Sequence, residues 1–154
     1  MTLAKTMGSL KRFRRTPWRF QATFSTPLGN LSDFTSTILS SLGDVHSAIL
    51  SIDSVVFEPK HLVHLLNRNG LSGEVIHDST LTAFGGPEVG ELLEAALGDW
   101  VDFAFVPSPK PFVIYADHDE FTTFLANTKS NLNGVIQPLL ARGFREVPGF
   151  VREF

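Results

Sequence analysis

Cysteine is absent from the 154 residues, tyrosine occurs once and tryptophan twice. The first absence removes thiol nucleophiles, cysteine-based zinc sites and disulfides together. The scarcity of tyrosine, set against fourteen phenylalanines, points to a greasy core rather than a tyrosine-rich recognition surface. No window approaches the ~20 apolar residues that a membrane-spanning helix needs. Acidic residues are also missing from the first twenty positions, where Lys5, Lys11, Arg12, Arg14, Arg15 and Arg19 stand alone. All sixteen carboxylates fall later, against seven Lys and Arg, so the rest of the chain carries a balance of −9. An acidic body repels nucleic acid and anionic lipid and attracts basic proteins.

The motifs of common enzyme classes are missing as well. There is no Gly-x-Ser-x-Gly elbow, dinucleotide fingerprint or His-Glu-x-x-His pair. Gly85-Gly86-Pro87-Glu88 follows a strand pattern and opens a helix, but Pro87 has no N–H to donate and Glu88, Glu91 and Glu94 would repel a phosphate. It reads as a tight turn. His77-Asp78 lies in a strand pattern, where adjacent side chains point to opposite faces, so it is no dyad.

What is present reads as a single α+β domain over residues 17–154, preceded by a basic, flexible arm over residues 1–16. With 43% apolar and 19% charged residues, the chain is expected to be soluble and large enough for a core without staples. Trp18, Phe20, Ala22 and Phe24 alternate with polar neighbours as a first strand. Leu31, Phe34, Ile38 and Leu42 mark a helix, and Ala48, Leu50 and Ile52 a second strand. Pro59 opens a helix carrying Leu62, Leu65 and Leu66, and Glu74–Phe84 forms a third strand. A helix from Pro87 follows, then strands at Val101–Phe105 and Phe112–Ala116 joined as a hairpin across Pro107–Pro111. Phe121, Leu125, Leu132, Val135 and Leu139 keep a helical period, with Pro138 expected to kink that helix or break it near Asn133-Gly134. A last strand spans Phe144–Phe154, with a type II turn or bulge within it at Pro148-Gly149. Gly43, Gly70, Gly98 and Gly143 stand where left-handed C-terminal caps are needed. The resulting expectation is a mixed, partly antiparallel sheet of about six strands with about four helices.

Chemistry concentrates at Asp117-His118-Asp119-Glu120, directly after the apolar run Phe112–Ala116. As a helix start, Asp117 becomes the N-cap and Glu120 the reciprocal member of a capping box. As a site, the same four residues offer a general acid/base pair or ligands for a hard cation. His61 and His64, three apart on a helix, are weak metal candidates that need a third ligand such as Asp117 or His118. Asn127, Lys129, Ser130, Asn131 and Asn133 form a polar patch in the middle of the expected last helix, either solvated surface or a contact face.

The leading expectation is a binding, regulatory or partner-neutralising module with a basic protein partner. The alternative is a metal-assisted or acid/base enzyme centred on Asp117, His118, Asp119 and Glu120. No cofactor is specified by any motif. Nucleic acid is disfavoured for the body, leaving Lys11, Arg12, Arg14 and Arg15 as its only handle. The expected compartment is the cytoplasm, with an organellar transit peptide in the arm as a lesser reading, because the arm lacks acids but also lacks a secretory apolar region.

Overall fold

A computed structural model describes residues 1–5 and 9–154. The elements run β1 (Thr2–Lys5), α1 (Ser9–Arg15), β2 (Phe20–Ser25), a short 3₁₀ turn (Leu28–Asn30), α2 (Leu31–Leu42), β3 (Ser47–Ser54), α3 (Lys60–Arg68), β4 (Ser79–Phe84), α4 (Gly86–Gly98), β5 (Asp102–Ser108), β6 (Phe112–Ala116), β7 (Phe121–Ala126) and α5 (Lys129–Ala141). The chain is α+β, as its alternating periods imply. Among the described residues, seven strands form one sheet in the order β1-β4-β3-β5-β6-β7-β2, with every pairing antiparallel. The mixed sheet expected from the sequence is therefore wholly antiparallel. No described helix is long and apolar enough to cross a membrane.

Four helices cover one face. α2 packs between α5 and α4, and α3 flanks α4 on the far side. Their apolar stripes meet alternate residues of the strands, with Phe24, Phe34, Ile38, Leu50, Phe103, Phe105 and Phe124 fully buried. Phenylalanine suits this layer, which buries Phe24, Phe34, Phe103, Phe105, Phe112 and Phe124, because it fills volume without demanding a polar partner.

The segment expected as a flexible arm supplies two elements. β1 pairs with β4, from Thr2 opposite Thr82 to Lys5 opposite Ser79. α1 lays Leu10 and Phe13 on the second face of the sheet, against Ala104, Val113, Tyr115 and Leu125. The apolar pair at spacing three gives this short basic helix a docking side, and Lys11, Arg14 and Arg15 remain exposed. Residues 6–8 and the side chains of Ser9 and Arg12 lie outside the described residues.

The long last helix is the largest departure. Phe121–Ala126 is a strand bonded to β6 on one edge and β2 on the other. Phe121, Leu125 and Leu132 fit a helical period, but two neighbouring strands satisfy the backbone of this Thr- and Phe-rich hexapeptide along both edges. Cross-strand hydroxyl pairs reinforce it, Thr23 with Thr123 at 2.9 Å and Thr26 with Thr122 at 2.8 Å. The helix starts instead at Thr128, whose hydroxyl accepts from the N–H of Asn131. It runs unbroken through Gly134 and Pro138 to Ala141. The Asn127–Asn133 patch thus sits at a helix start, where short polar side chains are favoured.

The expected last strand contracts to one bridge, Phe24 opposite Glu146, on the free edge of β2. Pro148-Gly149 then turns the chain, with Gly149 at φ +78° and Phe150 donating to the carbonyl of Val147, as a type II turn requires. The tail folds back over the second face, where Phe154 sets its ring against Phe13 and Tyr115.

One cap also moves. Gly98 is helical, and the left-handed residue after α4 is Trp100, at φ +56°. Asp99 and Trp100 close the turn through bonds to the carbonyls of Ala95 and Leu97.

Candidate functional site

The tetrad forms no helix cap. Asp117–Glu120 is the tight turn between β6 and β7, with Glu120 at φ +67° and the N–H of Asp117 donating to the carbonyl of Phe121. Asp117 still accepts backbone bonds, from the N–H of Asp119 at 3.1 Å and of Phe121 at 3.3 Å, but it closes a hairpin rather than a helix. Its other oxygen pairs with Arg152 at 2.5 Å, in a position where both side chains are nearly buried. Arg152 also donates to Thr123 and lies 4.8 Å over the ring of Tyr115. Asp117 is thereby committed to holding the tail on the sheet.

His118 is held in its turn by Asp102, one oxygen of which accepts from both the backbone N–H and Nδ1 at 2.8 Å. That hydrogen bond is the main reason the imidazole titrates above its ordinary value, against the opposing effect of burial. Asp119 and Glu120 remain exposed. On β6, two residues before the turn, the Tyr115 hydroxyl donates to Asp53 at 2.8 Å, and Arg14 meets the same carboxylate oxygen at 2.5 Å. Burial first, and the Asp53 carboxylate second, push the Tyr115 ionisation well above that of free tyrosine.

His61 and His64 both stand on α3, but neither joins His118 or Asp117. His61 goes to Asp99. One oxygen of Asp99 accepts from the His61 N–H at 2.9 Å and lies 2.6 Å from Nδ1, and the other accepts from Leu62 N–H at 2.7 Å. A carboxylate from the end of α4 therefore caps the start of α3, where Pro59 offers no side-chain acceptor. Among the described residues, no three His, Asp or Glu side chains are arranged to hold a metal ion.

The pairing leaves the imidazole edge of His61 in a groove along α3 and α4. One hollow of about 460 Å³ is lined by Phe57, Glu58, Lys60, His61, Asp99 and Trp100. A second, of about 420 Å³, continues from Lys60, His61 and Gly98 to His64, Arg68, Glu91 and Glu94. Each is of the size that ligand sites occupy. Trp100 also walls a narrow crevice bordered by Asp117 and Glu120, which brings the hairpin turn to the end of the groove. Six carboxylates line these three hollows (Glu58, Glu91, Glu94, Asp99, Asp117 and Glu120), against two permanent cations, Lys60 and Arg68. Arg68 is paired with Glu91, and Lys60 stands 3.7 Å from Glu58.

Sequence reasoning selected the histidines and missed the residues that organise them. Phe57, Asp99, Trp100 and Asp102 carry no motif, and the two aspartates act on partners 38 and 16 residues distant in the chain. The single local signal is Gly98-Asp99-Trp100, a helix-ending triplet with a bulky aromatic where the chain turns left-handed. Comparison of the chain with protein-family models, with curated proteins and with solved structures finds no match in any of the three.

Proposed function

We propose that this protein is a binding module that captures a basic protein partner in the groove between α3 and α4, in a regulatory or neutralising role. The observation that carries the reading is Trp100. A tryptophan in the left-handed region costs about 1–2 kcal/mol of backbone strain, and such strain persists where surrounding structure imposes it. Here it places an indole between two hollows, edge-on to the exposed ring of Phe57 at 5.9 Å. Aromatic anchors of this kind dominate binding energy at protein interfaces. The excess of carboxylates around it favours a cationic partner and raises the rate of encounter with one.

The acid/base reading of Asp117–Glu120 has less support, because Asp117 is engaged by Arg152 and His118 by Asp102. The proposed setting is the cytoplasm, and nucleic acid is a poor candidate for a groove whose carboxylates repel phosphate.

The test is fluorescence anisotropy with a labelled Lys/Arg-rich peptide and a Glu-rich counterpart. The basic peptide is expected to bind and to weaken by about an order of magnitude between low and physiological salt. Trp100→Ala should weaken it at least about tenfold in a protein that keeps its secondary structure. Salt-insensitive binding, or binding unchanged in Trp100→Ala, would count against the reading.

A further inference from the structure

Resting on the basic-partner reading, we infer that the hollow lined by Phe57, Glu58, His61 and Trp100 is an arginine pocket, selecting a guanidinium over an ammonium of equal charge. Asp99 determines the polarity of His61. A carboxylate can only accept, so at 2.6 Å the Nδ1 atom carries the proton, which leaves Nε2 as the one ring nitrogen able to accept. The second oxygen of Asp99 is taken by Leu62 N–H, so the carboxylate cannot turn away. The result is a fixed acceptor on a rigid helix, held by a partner that is itself 4% exposed.

Around this acceptor stand the two features that a guanidinium uses and an ammonium does not. Phe57 and Trp100 meet at 90°, and Phe57 is 54% exposed, which gives a planar cation aromatic surface to stack on. Glu58 is exposed beside them, and its cation, Lys60, lies at a loose 3.7 Å with both side chains about three-quarters solvated. A guanidinium stacked on the aromatic wall keeps its five in-plane donors for Nε2 of His61 and the Glu58 carboxylate. A lysine ammonium has three donors at one point and no flat face.

The helix ends fit the same occupant. The positive N-terminus of α3 is answered by the Asp99 carboxylate, while α4 brings its carbonyl end, which favours a cation, to the same hollow. Lys60 is the one group there that opposes an incoming cation, so its removal should strengthen binding.

The experiment uses the full chain and three labelled peptides that differ at one central residue, arginine, lysine or citrulline. Arginine is expected to bind about tenfold more tightly than lysine, a difference of about 1.4 kcal/mol, and citrulline, which keeps the shape without the charge, more weakly than both. His61→Ala leaves the backbone N–H that Asp99 caps, and should bring the arginine-to-lysine ratio close to one while salt dependence persists. Lys60→Ala should raise the affinity for the arginine peptide a few-fold. Equal affinity for arginine and lysine in the unmodified protein would overturn the arginine pocket and leave the basic-partner reading standing. Failure of every cationic peptide to bind would overturn both. A ratio unchanged in His61→Ala would remove His61 from the pocket and with it this inference.

Discussion

Two histidine–aspartate pairs lie on either side of Trp100, and they differ in what surrounds them rather than in how they are built. In each, one carboxylate oxygen takes both the backbone N–H and the Nδ1 of a histidine, Asp99 with His61 and Asp102 with His118. Asp99 has a second oxygen occupied by Leu62 N–H and holds a ring that is 66% exposed in a groove. Asp102 holds a ring that sits in a tight hairpin, with Asp117 and Asp119 nearby adding to the negative field. The first arrangement presents an acceptor to whatever enters the groove. The second clamps a turn. A His–Asp pair by itself therefore says little about function, and its outlook decides the role.

The largest effect expected from breaking this contrast is on the hairpin side. Asp117→Ala leaves the Arg152 guanidinium without its carboxylate partner in a nearly buried position and removes the acceptor for two turn N–H groups. A loss of about 3 kcal/mol is expected in urea unfolding, with Arg152→Ala giving a similar loss and the double variant less than the sum. Next comes Asp99→Ala, expected to cost about 2 kcal/mol, since three donors at the start of α3 lose their acceptor. Hydrogen exchange should show that loss concentrated at the N-terminus of α3.

Tyr115→Phe removes the bond to Asp53 and should cost about 1 kcal/mol. Because Tyr115 is the only tyrosine in the chain, its ionisation can be followed directly by phenolate absorbance. The folded state favours the protonated phenol, so stability is retained below the ordinary tyrosine value near pH 10 and lost as the pH rises beyond it. Phenolate should emerge only together with unfolding. Absorbance rising near pH 10 in a folded protein would show that the hydroxyl is not held as described.

The smallest effect is the pH signature of His118. Its titration lies above the ordinary histidine value, so its bond to Asp102 stabilises the fold fully below about pH 6.5 and fades as the pH climbs through the raised value. The stability difference between the unmodified protein and His118→Gln should thus be larger at acid pH than at alkaline pH. A difference that stays flat across this range would make the hairpin pair indifferent to protonation.

Much of the architecture was legible. β2, β3, β5, β6 and helices α2 to α4 follow from periods of two and 3.6 in the apolar residues, and the turn at Pro148-Gly149 from its residue types. β7 was hidden because Phe121 and Leu125, four residues apart, suit both periods until neighbouring strands claim the backbone. α1 was hidden because a run of positive charge outweighed the apolar pair Leu10 and Phe13. At the site, His61, His64 and the Asp117–Glu120 turn stood out as titratable groups. Their partners did not, since no local signal joins Asp99 to His61 or Asp102 to His118.

The sequence by itself determined the α+β class, a core rich in phenylalanine, the exclusion of thiol and disulfide chemistry and the acidic balance beyond residue 20. These depend on composition and on short-range periodicity, which act within one element. Only the tertiary structure decided that the sheet is wholly antiparallel, that Asp117 holds the tail through Arg152, and that α4 runs through Gly98 to set Asp99 on α3 and Trp100 in the groove. Each of these is a pairing between residues far apart in the chain, and the free energy that selects it exists only once the layers have packed.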